Sequence, residues 1–434
     1  MNLNASPGSE WRAKAPASRT HSRRFATNTS GNVFALAFGV RPACRRFRSI
    51  YLAALIIIDA LTLCSAEINT AYRAPSLTIT NDSGVAIPLF SAAAYRAEFK
   101  YLQRIFRETD LQGPPVQTDG WTYNIAEAEW PLMSFAYFGY ACLNLAQSDA
   151  GFRKEALEET RWLIEAIQTP RISGFMTPHF GPPFNPTNKM ATVFVHGHWL
   201  QLAMHYRQAT GDTRYDAAIH RVARVLADGF GKSDQALLKS YPTMWWISDN
   251  FPAHAALCLY DETFQENLSN VRLTLIKNLR AIYLDKTTGL VATYVDADKR
   301  QVNQGPRGIS TMYGLHFLKD VDANFARQQY AAAASHFIRS ALGLAAVREF
   351  PEGASGAQDI DSGPVLLGFG PSASGFAIAA AAVMGDEETA WQLLQASAFV
   401  GLPVWHGGEL HYTLMPPVGQ AVILFGKTTL AKAK

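Results

Sequence analysis

Hydrophobic residues recur with helical spacing along most of the chain after residue 90, and Gly, Pro and Asp repeatedly interrupt the pattern. Most of the uninterrupted stretches are about ten to twenty residues long, an ordinary length for helices in globular proteins. The pattern therefore predicts an all-α domain of about twelve helices. They are 91–108, 124–147, 152–169, 191–210, 213–230, 249–261, 262–284, 308–319, 322–343, 363–385, 386–400 and 416–426.

The predicted helices alternate between two kinds of surface. One kind, such as 191–210, is rich in Ala, Gly and aromatic residues and carries few charges, as expected of a helix buried on all sides. The other kind is amphipathic: in 152–169, Leu163 shares an apolar face while charged residues such as Glu158 occupy the opposite face. This alternation predicts six inner–outer hairpins closed into a ring, an (α/α)6 toroid spanning 91–434.

Two junctions between the predicted helices resemble those of the six-hairpin glycosidase superfamily. In ATGDTRYDAAIHRVARVLADGF, Gly211 and Asp212 close one helix and Tyr215 packs against the next. In DKTTGLVATYVDADKRQVNQGPRGIS, an extended segment comes before Gly-Pro-Arg-Gly restarts a helix. The resemblance covers nearly the whole predicted ring and implies a toroid fold and a carbohydrate-active, glycosidase-like enzyme. An open array of helical repeats would need a fixed repeat length, and the sequence shows none.

A basic leader rich in Ser and Asn precedes the predicted ring. Residues 1–49 contain nine Lys or Arg residues against one acidic residue, Glu10, and residues 50–66 form an apolar run that only Asp59 interrupts. An apolar run of this length behind a basic flank predicts either a transmembrane signal anchor or a cleavable signal peptide. Residues 67–90 then form a linker. We expect the ring to be exported, as a membrane-anchored periplasmic or extracellular domain, or as a secreted protein after cleavage.

Composition and charge limit the possible partners. Apolar residues make up 48% of the chain and charged residues 17%, which is enough for a large core. The net charge is +3, but the leader holds the basic excess and the chain after residue 66 carries about −4. Such a ring is not expected to bind nucleic acid, which requires a basic face. We expect membrane contact through residues 50–66, a glycan or other small-molecule substrate, and no cofactor.

Few residues of the predicted ring suit a metal site or a disulfide framework. Cys142 and Cys258 are the only cysteines after residue 66, and their apolar surroundings favour free buried thiols. His196 and His198 lie two positions apart and therefore point about 200° from each other on a helix. This spacing is unfavourable for chelation. We expect no metal, and a histidine that lies either in the cavity or in the core.

Acidic residues near the starts of the predicted inner helices are the catalytic candidates, because such helices begin at one mouth of the ring. Cleavage of a glycosidic bond needs one carboxyl group to protonate the leaving oxygen and another to activate water or stabilise the cationic centre. We predict that Asp249, Asp361 and Glu129 are catalytic, with Glu127 as a substitute for either aspartate. Asp359 points away from Asp361 in an extended chain. As helix caps, these acids would be structural only.

Aromatic and polar residues near these acids are predicted to bind the substrate. Flat aromatic rings beside a carboxylate suit the apolar face and the hydroxyl edge of a sugar. Arg307 suits an anionic group, or alternatively a salt bridge with a structural acid. The predicted substrate-binding residues are Trp245, Trp246, Asn250, His198, Arg307, Trp405 and Tyr412.

Other functions remain open on sequence alone. A polysaccharide lyase would need a base such as Tyr294 or Tyr412, with Arg307 neutralising a uronate. Linalool dehydratase/isomerase is similar in overall ring architecture and acts on a terpene alcohol with cysteine and acidic residues, so Cys142 and Cys258 would be the counterparts here. This hydro-lyase, and a non-catalytic toroid that binds a glycan or an envelope partner, are the alternatives to a glycoside hydrolase or lyase.

Overall fold

The computed structural model describes residues 77–108, 121–359 and 361–432, without the side chains of 121–128. Twelve main helices in this part of the chain are numbered α1 to α12. They are α1 (Ala92–Glu108), α2 (Trp121–Ser148), α3 (Arg153–Ile167), α4 (Val193–Thr210), α5 (Asp216–Gly231), α6 (Ile247–Phe264), α7 (Ser269–Ile282), α8 (Gly308–Val321), α9 (Ala323–Phe337), α10 (Pro371–Val383), α11 (Glu387–Gly401) and α12 (Pro417–Lys432). Short helical turns at Pro170–Ser173, Gly174–Met176 and Thr177–Phe180 follow α3.

The six even-numbered helices form a closed inner ring. Each packs against the next in the order α2, α4, α6, α8, α10 and α12, and α12 packs back against α2. The odd-numbered helices alternate with them along the chain and form the outer layer. Because each outer helix carries the chain back, the inner helices all begin at the same mouth of the ring. The predicted all-α (α/α)6 toroid is therefore confirmed.

The inner helices pack closely because small residues lie where they meet. α10 buries nine of its thirteen residues, most of them alanines. A Cβ atom added at Gly197 of α4 would lie 2.9 Å from the backbone nitrogen of Ala253 in α6. A Cβ atom added at Gly426 of α12 would lie 2.6 Å from Cγ2 of Ile378 in α10. These contacts explain why the inner set is rich in Gly and Ala, since larger residues would force the ring apart.

The outer helices are amphipathic and cover the inner ring with one face. In α3, Leu163, Ile164 and Ile167 are fully buried. Its one fully buried acid, Glu159, accepts hydrogen bonds from Arg107 and Gln103 of α1, at 2.6 Å from Arg107 Nη2 and 2.7 Å from Gln103 Nε2. This ion pair satisfies a charge that burial would otherwise destabilise, and it joins the first two outer helices.

The predicted junction after α4 has the expected geometry. Gly211 ends α4 with a φ of +72°, the left-handed conformation that glycine adopts most readily. Tyr215 lies at the start of α5, is buried, and donates a hydrogen bond to Glu165 of α3 at 2.8 Å. The turn therefore fixes the direction of the next hairpin.

Short antiparallel strands occupy the loops between helices. They are β1 (Thr78–Thr80), β2 (Ala86–Pro88), β3 (Trp245–Trp246), β4 (Tyr294–Asp296), β5 (Gln301–Gln304), β6 (Ile338–Ala341), β7 (Leu344–Val347), β8 (Pro403–His406) and β9 (Glu409–Tyr412). β3, β4 and β5 form a three-stranded sheet, and the other strands pair as β1–β2, β6–β7 and β8–β9. β3 leads directly into α6, so this sheet fixes the start of an inner helix.

Three predicted helices are clearly longer than the observed ones. The predicted helix 262–284 begins only at Ser269, because residues 262–264 belong to α6. The predicted helix 322–343 ends at Phe337, where the chain enters β6 and turns through Leu342 and Gly343, both with positive φ. The predicted helix 363–385 begins only at Pro371. In these last two places the apolar pattern continues past the helix, because residues of a hairpin or loop that packs on the ring are also buried.

The predicted leader and the apolar run 50–66 lie outside the described residues. Within the described ranges, no helix is long and apolar enough to cross a membrane. The described part of the predicted linker 67–90 contains the β1–β2 hairpin, whose β1 strand contacts β8.

We expect Gly197→Ala to destabilise the fold. Its new Cβ atom would meet the backbone of α6, and overpacking of this kind costs about 1–3 kcal/mol. The measurement is the free energy of unfolding from denaturant titration followed by circular dichroism. Gly231→Ala at the end of α5 is the matched control, because a Cβ atom there meets no other atom within 4 Å. Equal stability of the two variants would contradict close packing of α4 on α6.

Candidate active site

Three acidic side chains from distant parts of the sequence meet at one end of the ring. Glu129 lies on α2, Asp249 lies in the first turn of α6, and Asp361 lies in the loop before α10. The carboxyl groups of Glu129 and Asp361 lie within hydrogen-bonding reach of each other. The charge of Asp249 acts on Glu129, and that of Asp361 acts on Asp249. The structure thus brings all three predicted catalytic residues together.

The contact between Glu129 and Asp361 requires a proton. Two carboxylates can only accept hydrogen bonds, and Glu129 Oε2 and Asp361 Oδ1 are both buried without a hydrogen-bond partner. A proton on one of the two groups lets them hydrogen-bond and removes the repulsion between two buried negative charges. We call Glu129 and Asp361 the carboxyl pair.

Burial and mutual repulsion raise the pKa values of all three acids. For Glu129, burial and then the charge of Asp361 raise the pKa well above its ordinary value. Burial and then Asp359 raise the pKa of Asp361 to about 6, although its hydrogen bond with Glu129 opposes the shift. The pKa of Asp249 is raised to about 7, chiefly by burial. Near neutral pH, Glu129 holds the proton of the pair, and Asp249 is close to the midpoint of its titration.

Asn250 binds the backbone of the loop before α6 rather than facing a substrate. Its Oδ1 accepts a hydrogen bond from the backbone N–H of Leu238 at 2.8 Å, and its Nδ2 donates to the carbonyl groups of Leu238 and Trp246. The side chain is completely buried. These bonds tie the preceding loop to the start of α6, and they leave no free group for the substrate-binding role predicted for Asn250.

Aromatic side chains from three inner helices lie beside the acids. Tyr137 of α2 and Tyr313 of α8 each pack against Phe376 of α10, with ring centroids 5.2 and 5.4 Å apart. Burial raises the pKa of both tyrosines, and the charge of Asp249 raises it further. Both hydroxyl groups therefore stay protonated beside Asp249. We call Tyr137, Tyr313 and Phe376 the aromatic floor of the site.

His198 lies behind this floor and is a core residue. Its Nε2 is 2.9 Å from the hydroxyl of Tyr313, and its Nδ1 is 3.0 Å from the hydroxyl of Tyr140. Burial lowers the pKa of His198 to about 3, so the imidazole is neutral. His198, predicted to bind substrate, instead supports Tyr313. His196 is also a core residue, held by the backbone of Thr192 and Pro183.

Arg307 forms salt bridges with two acidic side chains. Its predicted role in binding an anionic substrate group is therefore replaced by the structural alternative. Its Nε donates to Glu349 Oε1 at 2.7 Å, and its Nη2 donates to Asp359 Oδ1 at 2.8 Å. Arg307 and Glu349 are almost completely buried, whereas the side chain of Asp359 is 37% exposed. Asp359 therefore faces Arg307, while Asp361 faces Glu129.

Trp245 and Trp246 lie on β3, immediately before α6. Trp246 stacks on Tyr294 of β4 with ring centroids 6.0 Å apart, and its indole Nε1 is buried without a hydrogen-bond partner. Trp245 is buried and lies 4.6 Å from Nζ of Lys239. Trp246 keeps some solvent exposure close to Asp249 in sequence, so it remains the better aromatic candidate for a substrate contact.

Trp405 and Tyr412 belong to the β8–β9 hairpin, where β9 packs against α1. The hydroxyl of Tyr412 accepts a hydrogen bond from Lys427 at 2.6 Å, and Lys427 also pairs with Glu98. Trp405 is half-buried against the core. The contacts of Tyr412 are thus with a second buried ion pair, which lies between α12 and α1.

Neither Cys142 nor Cys258 lies beside the carboxyl pair. The charges that act on the Cys142 thiol come from Glu159 and Glu155 of α3, and burial raises its pKa well above the ordinary value. Burial raises the pKa of Cys258 to about 11, and the acting charges begin with Arg272. Both thiols are therefore protonated at neutral pH. Within the described ranges, no three His, Cys, Asp or Glu side chains are arranged so that they could hold one metal ion, and this includes the three acids of the site.

Sequence reasoning missed the aromatic floor. Tyr137 and Tyr313 lie in apolar inner helices, where the hydrophobic periodicity alone predicts ordinary core residues. A tyrosine in an otherwise apolar inner helix was the available signal, because a buried hydroxyl needs a polar partner. Glu127, the predicted substitute for an aspartate, lies outside the described side chains.

Fold and site together define an (α/α)6 toroid with an acidic mouth. An α-1,6-mannanase of Salegentibacter sp. HEL1_6, in complex with α-1,6-mannotetrose, matches with a TM-score of 0.50 at 10% identity, over 79% of this chain and 99% of the mannanase. Dfg5 from Chaetomium thermophilum, in complex with glucosamine, gives 0.47 at 14% identity, over 80% and 90% of the two chains. A family 105 glycoside hydrolase of C. acetobutylicum gives 0.45 at 11%, over 78% and 99%. The resemblance to the six-hairpin glycosidase fold is confirmed.

The chain belongs to the linalool dehydratase/isomerase family, whose model matches residues 187–415, more than half of its length. The matched region contains Asp249, Arg307 and Asp361, whereas Glu129 comes before it. No curated protein matches the chain in sequence.

We expect Asp249→Asn to change how stability depends on pH. Folding raises the pKa of Asp249 to about 7, so its contribution to stability is present below about pH 4 and is lost as pH rises through 7. Asn does not titrate, so the melting temperature of the variant minus that of the wild type should increase from pH 5 to pH 8. Differential scanning calorimetry measures both.

Asp228→Asn is the control for this experiment, because Asp228 is exposed on α5. Its difference from the wild type should stay constant across the same pH range. A constant difference for Asp249→Asn as well would show that Asp249 does not titrate as a buried acid.

Proposed function

We propose that this protein is an acid–base enzyme that cleaves a carbon–oxygen bond, as a dehydratase or isomerase of an apolar alcohol. The observation that carries the proposal is the carboxyl pair, with Asp249 and the aromatic floor beside it. Membership of the linalool dehydratase/isomerase family supports the reaction class. The aromatic floor supports an apolar substrate, because flat rings contact hydrocarbon well.

The carboxyl pair would act as the proton donor. Its proton moves to the hydroxyl oxygen of the substrate, the carbon–oxygen bond breaks, and both bonding electrons leave with water. The pair then carries two negative charges beside the positively charged carbon. The attraction between these charges and the cation offsets the repulsion between the two carboxylates. The faces of Tyr137 and Tyr313 would add cation–π stabilisation.

Asp249 would be the base. In dehydration, its carboxylate takes a proton from the carbon next to the cation, and the C–H bonding electrons form the new double bond. In isomerisation, water adds back at another carbon and returns a proton to the pair. Its pKa of about 7 suits a group that accepts and releases a proton near neutral pH.

The same groups could also carry out glycoside hydrolysis, which the toroid fold and the stacked Trp246 and Tyr294 favour as a second candidate. The carboxyl pair would again protonate the leaving oxygen, while Asp249 would activate water instead of removing a carbon-bound proton. The candidates differ in their products: an alkene or rearranged alcohol in one case, a free reducing sugar in the other.

Purified protein incubated with linalool, with a second unsaturated alcohol and with α-1,6-mannan tests the two candidates. We expect turnover of an alcohol, measured by gas chromatography. Glu129→Gln, Asp361→Asn and Asp249→Asn should each lower kcat by about 10²–10⁴-fold, the usual contribution of a general acid or base. Cys142→Ser and Cys258→Ser should keep turnover within about threefold, because both thiols are protonated and lie elsewhere.

Three outcomes would overturn this assignment. Full activity in all three acid variants would exclude the carboxyl mechanism, and loss of activity in a cysteine variant of unchanged stability would favour cysteine chemistry. Release of reducing sugar, with the alcohols untouched, would replace the dehydratase by the hydrolase. Asp228→Asn serves again as the exposed control.

We also propose that the toroid works outside the cytoplasm, tethered through residues 50–66 or secreted after their removal. The basic leader followed by the apolar run supports export. Residues 1–76 fused to alkaline phosphatase should give an active reporter in bacteria, because this enzyme needs disulfides that form only after export. Replacing Ile56, Ile57 and Ile58 by Lys should abolish that activity, and an inactive reporter in both fusions would contradict export.

A further inference from the structure

A buried ion network lies behind the loop that carries Asp361. Arg307, immediately before α8, donates from Nε to Glu349 at 2.7 Å and from Nη2 to Asp359 at 2.8 Å, and its Nη1 also contacts Asp359. The guanidinium therefore bridges a completely buried acid on one side and the start of the Asp361 loop on the other.

The loop is also closed locally. Asp359 Oδ1 accepts a hydrogen bond from the backbone N–H of Ser362 at 3.0 Å, and the hydroxyl of Ser362 accepts one from the backbone N–H of Asp359 at 3.1 Å. Asp361 lies within this closed turn. The position of Asp359 therefore determines where the carboxyl group of Asp361 can point.

The fixed end of the network has no room to move. A Cβ atom added at Gly370 would lie 2.8 Å from Glu349 Oε2, and one added at Gly308 would lie 2.1 Å from the carbonyl oxygen of Arg348. The backbone N–H of Gly308 also donates to the carbonyl oxygen of Glu349 at 2.8 Å. Glu349 is thus enclosed between the starts of α8 and α10, and Arg307 extends from this rigid base.

We infer that Arg307 and Asp359 are positioning residues that hold Asp361 against Glu129 and thereby set the protonation of the carboxyl pair. The inference rests on the proposed function of that pair. Arg307 is suited to the role because its planar guanidinium binds two carboxylates in fixed directions, which a lysine ammonium group does not.

The charges of Asp359 and Arg307 shift the pKa of Asp361 in opposite directions. The negative charge of Asp359 raises the pKa of Asp361, and the positive charge of Arg307 lowers it. Asp359→Asn can keep the hydrogen bond to Arg307 through its amide oxygen but loses the charge. The pKa of Asp361 should therefore fall in this variant. Arg307→Lys keeps the positive charge but loses the two-sided geometry.

The test has two readouts on the full chain. In Asp359→Asn, the basic limb of the pH–kcat profile should move to lower pH by about half a unit or more, because the pair loses its proton more easily. In Arg307→Lys, kcat should fall at least tenfold with KM within about threefold, because Asp361 is no longer held against Glu129. The matched control is Arg104→Lys, whose two bonds to Glu409 have similar geometry on the surface of the ring.

The second readout does not depend on activity. Asp359→Asn should change the pH dependence of the melting temperature between pH 5 and 8, and this change should become smaller when Asp361→Asn is already present. The remaining change comes from Glu349 and Glu129, whose pKa values Asp359 also raises. An equally large change in the Asp361→Asn background would overturn the inference, as would a pH–kcat profile identical to the wild type. If no substrate turns over at all, the thermal cycle still decides the positioning role, so failure of the proposed function remains distinguishable.

Discussion

The site depends on the closure of the inner ring, because its three acids are carried by different hairpins. Closure occurs where α12 packs against α2. Beside this contact, Lys427 joins α12 to the outer helix α1 by pairing with Glu98, and it also donates to Tyr412. Burial lowers the pKa of Lys427 and raises that of Glu98, so both groups tend toward the neutral form and are held charged chiefly by each other. The last helix is thereby joined to the first.

Within the closed ring, the carboxyl pair is an arrangement that stability alone would not favour. Two buried acids lie next to each other with raised pKa values, and a third, Asp249, lies near enough to raise the pKa of Glu129. Such clusters are typical of sites where a proton is transferred. An apolar residue at the same buried position would give a more stable fold, so stability does not explain the acids. The dehydratase and hydrolase candidates both use this poised proton, and they differ only in what Asp249 removes or activates.

Family and residue evidence do not fully coincide in this chain. The family match covers Asp249 and Asp361. The resemblance to linalool dehydratase/isomerase suggested a role for Cys142 and Cys258, but both thiols lie away from these acids and are protonated. The chemistry proposed here therefore rests on carboxyl groups. The likeness to the mannanase concerns the fold, and the substrate has to be decided by turnover.

The sequence by itself determined the ring and the identity of the acids. Alternating apolar and amphipathic stretches along the chain predicted twelve helices in six hairpins. Because inner helices begin at one mouth of such a ring, the sequence also predicted that Asp249, Asp361 and Glu129 lie close together. Only the tertiary structure decided the roles of the neighbours: Asn250 binds the backbone, His198 lies between two tyrosines, and Arg307 neutralises two acids. The physical reason is that helical periodicity is a local property. A hydrogen bond or a pKa depends instead on which distant side chains fill the same few ångströms.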